Sequence, residues 1–147
     1  MGVAKRTPSL EAVYRARYAT AYEEGILVVD QRLASGQLRA PPEQPPHLYR
    51  ANQIDAFARN DLKRFAAEQG HGTDLVRINQ RFYLEGSSGP YRVPDLYFPQ
   101  SKTILDGTLG TKTLTTPQIK DFRIATGNAP VGIIRPQSYG GFYWLGN

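Results

Sequence analysis

The chain has 147 residues, no cysteine, 40% hydrophobic residues and a formal net charge of +5, with a pI of about 9.6. That length and apolar content suffice for one folded domain with its own core. The missing cysteines exclude disulfides, thiolate zinc sites and cysteine nucleophiles. The positive balance suits a polyanionic partner, because displaced counterions give affinity before any sequence is read, although an acidic protein would feel the same field.

No stretch approaches the roughly 20 consecutive apolar residues of a membrane span. The start, MGVAKRTPSLEAVYRARY, has no apolar core like that of a signal peptide, so a soluble domain without a membrane segment is expected. Residues 9–24 place Leu10, Val13, Tyr14, Tyr18, Ala21 and Tyr22 near helical spacing behind a Ser9 cap. The pattern extends towards Leu33, with Gly25, Val28 and Val29 as points where it could break. Four prolines in residues 40–46 predict an extended connector between this helical arm and the remainder of the chain.

A second helix is predicted from Asn52 to Gln69, with Asn52 or Asp55 as cap and Gly70 and Gly72 as stop. The period then changes to two. Val76 to Tyr83, Tyr91 to Phe98 and Lys102 to Thr108 read as three strands, the first two joined by a hairpin turn at EGSSGP, residues 85–90. Thr116 as N-cap, Pro117 in the first turn and Gly127 as stop define a third helix. Val131 to Ile134 and Phe142 to Leu145 complete the chain as apolar strands. The expected class is α/β (α+β). It comprises a helical arm over residues 1–39, a connector over 40–48 and a core over 49–147, one compact domain overall.

The two histidines, His47 and His71, lie far apart in loop-like sequence. A metal would therefore be held by carboxylates, which favours Mg²⁺ or Mn²⁺. Side chains alternate along a strand, so Ile104, Asp106 and Thr108 share a face, and a hairpin can bring Asp95 beside Asp106. Two acids side by side repel unless a cation sits between them. Alone, a Pro-Asp pair is more often a strand-end acid. Arg77, Arg81 and Arg92, interleaved with Tyr83, Tyr91 and Tyr97, could track phosphates with aromatic platforms or simply decorate a half-buried sheet.

Arg92-Val93-Pro94-Asp95, then Asp106, then Thr115, Gln118, Asp121 and Phe122 resemble the PD-(D/E)xK nuclease superfamily. Within it, they look most like the toxin domains of polymorphic bacterial effectors of Rhs, contact-dependent and type VI kinds. The resemblance spans roughly residues 76–135. It implies a restriction-endonuclease-like core of helix, three-stranded antiparallel meander, helix and strand. It also implies Mg²⁺-assisted DNA hydrolysis, with Asp95 and Asp106 on the metal, Gln118 assisting, and Arg92, Lys120 and Arg77 on substrate. The superfamily lysine position is Thr108 here, so Lys112, or else Lys120, is expected in that role. The first-helix acid of the superfamily could be Asp55, Asp61 or Glu68. A toxin further implies a cognate immunity protein and delivery into the cytoplasm of a target cell. The competing readings are a non-catalytic basic module that binds nucleic acid or protein, an RNase, and an ADP-ribosyltransferase suggested by HLYR at residues 47–50.

Overall fold

The computed structural model describes residues 9–84 and 89–146; residues 85–88 of the expected hairpin turn lie outside them. Helix α1 (Leu10–Ala34) begins at Ser9, whose side chain accepts from the Ala12 N–H, and runs unbroken through Gly25. Gly25 marks where α1 meets the next helix: a Cβ there would lie 3.1 Å from Phe57 Cδ1 and 3.4 Å from the Ile54 carbonyl oxygen. The missing side chain costs helix propensity but lets two backbones approach.

Helix α2 spans Pro46–Gln69, starting six residues earlier than Asn52. The fixed φ of proline suits a first helical turn, where its absent N–H is not missed, so the proline-rich segment runs directly into the helix. Asn52 and Asp55 are consequently interior residues, not caps. Gly70 ends α2 in the left-handed conformation, as expected.

Two of the three expected meander strands are each divided. Residues 76–83 form β1 (Arg77–Ile78) and β2 (Phe82–Tyr83), separated at Asn79, whose φ of 54° bends the chain out of the sheet. Asparagine tolerates that conformation better than most residues. Residues 91–98 form β3 (Tyr91–Arg92) and β4 (Leu96–Phe98), separated by Val93, Pro94 and Asp95. Proline cannot donate to a ladder. The third strand, β5 (Thr103–Gly107), is continuous. After it come α3 (Pro117–Ala125), β6 (Val131–Ile134), a 3₁₀ turn (Gln137–Tyr139) and β7 (Tyr143–Leu145).

The result is a mixed α/β fold with a five-stranded sheet in the order β1-β4-β5-β6-β7, and a separate β2-β3 ribbon. Only β5 and β6 run parallel, and α3 is their crossover. Helices cover both faces. Leu96, Phe98, Leu105 and Ile134 pack with Tyr14, Tyr18 and Tyr22 of α1 and Ile54 and Leu62 of α2. Ile104, Val131 and Ile133 pack with Ile119 and Phe122 of α3. Helix α1 supplies three fully buried tyrosines to the larger core cluster. Among the described residues no helix is long and apolar enough to cross a membrane.

Candidate functional site

Asp106 sits on β5, next to the sheet's parallel step, and its neighbour Ile104 points into the α3 side of the core. Asp95 immediately precedes β4, the antiparallel neighbour of β5. The Asp95 N–H donates to Asp106 Oδ1 at 3.2 Å, and the Gly107 N–H donates to Asp95 Oδ2 at 2.7 Å. The two carboxylates are thus tied together by each other's backbone.

Lys112 reaches them from the loop between β5 and α3. Its Nζ lies 2.5 Å from Asp106 Oδ2 and 3.4 Å from Gln118 Oε1 in the first turn of α3. The loop is held by Tyr143 of β7, whose hydroxyl accepts the Lys112 N–H at 2.8 Å and donates to the Lys112 carbonyl at 2.7 Å. Thr108 takes no part, since its Oγ1 accepts the Gly110 N–H. Asp106 is almost fully buried, with a side-chain exposure of 3%, whereas Lys112 keeps 19% and Asp95 and Gln118 are half-buried.

The structure also sorts the first-helix acids. Asp61 is itself buried but is gripped by the more exposed Arg17 and Arg64, and Glu68 is exposed. Asp55 alone feels the charges of both Asp106 and Lys112, and it accepts a hydrogen bond from the Tyr22 hydroxyl. One turn back on α1, the Tyr18 hydroxyl donates to Asp95 Oδ2 at 2.7 Å. The two tyrosine rings stack with centroids 5.3 Å apart. Burial and the adjacent carboxylates push both phenols up, so they remain donors.

Burial pushes the Asp95 carboxyl well above the usual carboxylate range, and the charge of Asp106 adds to this against the Gly107 and Tyr18 hydrogen bonds. Asp55 is raised as well, chiefly by burial. The native state therefore holds the Asp95 proton more tightly than the unfolded chain does. Its contribution to stability is present below about pH 4 and is lost as pH rises towards the native pKa. Asp95→Asn keeps an oxygen for Tyr18 and Gly107 while removing the charge. In EDTA near neutral pH the variant is expected to be more stable by about 1 kcal/mol, a few degrees in Tm. Calorimetry on both sides of the transition checks this; a lower Tm near neutral pH contradicts it.

Arg92 of β3 donates from Nε to Asp121 of α3 at 2.7 Å, so it flanks the cluster already paired. Arg77 donates to the Thr73 carbonyl and lies over the Tyr97 ring, and Lys120 is an exposed residue of α3. Neither of these two bonds the carboxylates. Sequence reasoning missed Tyr18, Tyr22 and Tyr143. The helical spacing of the first two showed burial, and a buried phenol needs a partner, but the partner is chosen only by tertiary packing.

Among the described residues no group of three or more histidine or carboxylate side chains is arranged to hold a metal. The donor chemistry nevertheless fits a hard divalent cation. Asp95 and Asp106 offer oxygen only and repel one another, a set that Mg²⁺ commonly completes with water. No family model matches the chain, and no match is found among curated proteins or solved structures.

Proposed function

We propose that the domain is a metal-dependent nuclease that hydrolyses DNA phosphodiester bonds at the Asp95–Asp106–Lys112–Gln118 cluster. The observation that carries this reading is the convergence of two acids from neighbouring strands with one lysine and one amide at a partly open site. The layout of α2, antiparallel β1, β4 and β5, then α3 and parallel β6 supports a restriction-endonuclease-like core.

In this reading Asp95 and Asp106 hold Mg²⁺, or Mn²⁺, with Asp55 close enough to shape their charge. When bound, the cation supplies charge neutralisation at the phosphate. Lys112 presents its ammonium where it can orient the attacking water or stabilise the charge developing on phosphate oxygen. Gln118 holds that ammonium on the α3 side, and the Tyr143 clamp fixes the loop that carries it. Tyr18 and Tyr22 fix the two acids from behind. The net charge of +5 favours a polyanionic substrate.

The toxin assignment rests on the resemblance of Arg92-Val93-Pro94-Asp95 and of Thr115, Gln118, Asp121 and Phe122 to effector nuclease domains. Under it, the producing cell carries an immunity protein with an acidic face, and the domain acts in the cytoplasm of a target cell. The catalytic proposal is tested with circular DNA, single-stranded and supercoiled. Breakage in Mg²⁺ that stops in EDTA is expected; intact DNA in both, at every protein concentration, contradicts it.

A further inference from the structure

The β2-β3 ribbon stands apart from the main sheet and is docked on it by Phe82, which meets Tyr97 of β4 edge-to-face at 4.7 Å. The Leu84 N–H donates to the Pro90 carbonyl and continues the ribbon beyond its two paired positions. Residues 76–94 carry three arginines, Arg77, Arg81 and Arg92, against one acid, Glu85. Arg81 lies with its guanidinium 4.6 Å from the Tyr91 ring centre, and Tyr91 is 45% exposed. The arginine over this exposed ring has no carboxylate partner among the described residues, which leaves its charge available to an anionic ligand.

The ribbon is also continuous with the carboxylate cluster. Lys112 meets Gln118, and Asp121, one turn further along α3, meets Arg92. A helical turn of three residues advances only about 4.5 Å, so Arg92 and the ribbon border the site directly. Tyr91 adjoins Arg92 on the same strand but lies with its cross-strand partner Tyr83 on the ribbon's other face, away from the main sheet.

We propose that this ribbon binds single-stranded DNA, with an unpaired base stacked on Tyr91 and Arg81 on an adjoining phosphate. The inference rests on the nuclease reading for the identity of the ligand and adds the substrate class. In a duplex each base already stacks on its neighbours, so a protein ring can take a base only from an unpaired stretch. Arginine beside the ring supplies the backbone contact and can itself take part in stacking.

Binding is read by fluorescence anisotropy in EDTA, which separates it from hydrolysis, using labelled oligothymidylate of roughly 12 nucleotides and a duplex of equal length. The single strand is expected to bind about tenfold more tightly than the duplex, and Tyr91→Ala to remove about that factor for the single strand alone. Tyr91→Phe, which keeps the ring, is expected to retain it, and Arg81→Ala to reduce the salt dependence by about one phosphate contact. Duplex bound as tightly as single strand, or single-strand affinity unchanged in Tyr91→Ala, overturns the proposal. DNA left intact by the Mg²⁺-loaded protein, with these preferences still present, would instead sink the hydrolytic reading and leave the ribbon's role standing.

Discussion

Lys112→Ala is expected to lower the rate of DNA cleavage by about 10²–10³-fold, the usual effect of removing one charge-stabilising donor from a reacting phosphate. The same change should unsettle the fold. Asp106 would keep a buried carboxylate beside Asp95 with its one short cationic contact gone. Breaking a buried ion pair costs about 3–5 kcal/mol, and the partial exposure of Lys112 reduces this to roughly 2–3. Added Mg²⁺ offers a replacement positive charge, so the Tm of the variant is expected to rise more steeply with Mg²⁺ than that of the wild type. Thermal melts across a Mg²⁺ series check this point independently of turnover. A variant with wild-type Tm and no greater Mg²⁺ response would mean that Lys112 is not the counter-ion of the carboxylate pair.

Gly107→Ala is the second change of large expected effect, for a reason invisible in the strand pattern. A Cβ at Gly107 would lie 2.3 Å from the Tyr18 hydroxyl oxygen and 2.5 Å from Tyr22 Cε2. Neither ring can swing away. Both are fully buried, stacked on one another and bonded to Asp95 and Asp55. Overpacking of this kind costs about 1–3 kcal/mol, and here it also pushes on the groups that hold the carboxylates. Gly107→Ala is expected to lie at the upper end, with cleavage reduced by more than stability alone explains. Tyr18→Phe removes the nearest colliding atom, so the double variant is expected to be less destabilised than the sum of the singles. Additive losses in chemical denaturation would place the strain elsewhere.

Legibility in the sequence tracks the range of the interactions concerned. Ser9, Thr116, Pro117 and Gly70 act on their own helix ends, and the boundaries they mark agree with the structure. The start of α2 was missed because prolines that forbid a helix interior are welcome in a first turn. Burial alternates over 76–78 and 94–98 but is lost over 79–83, because alternation in sequence says nothing about a break, and Asn79 and Pro94 each end a ladder that periodicity would continue. Asp95 and Asp106 follow from strand faces, Lys112 and Gln118 only from the family resemblance, and the fold does bring the four together. Gly107 makes room for α1, which the strand pattern does not show. Tyr18, Tyr22, Tyr143 and the choice of Asp55 over Asp61 depend on contacts across roughly 30 to 80 residues of chain, on the order of the whole domain, for which a single sequence carries no periodic signal.

The most direct test is the cleavage of circular DNA by Asp106→Asn beside the wild type in Mg²⁺, with the Tm of both measured in parallel. The substitution keeps the shape of the side chain and an acceptor for the Asp95 N–H, and removes the charge. A folded variant whose cleavage is lower by about 10³-fold or more is the predicted result, as expected for a group that holds the charge-neutralising cation. A folded Asp106→Asn protein that still cuts DNA at the wild-type rate would contradict the account.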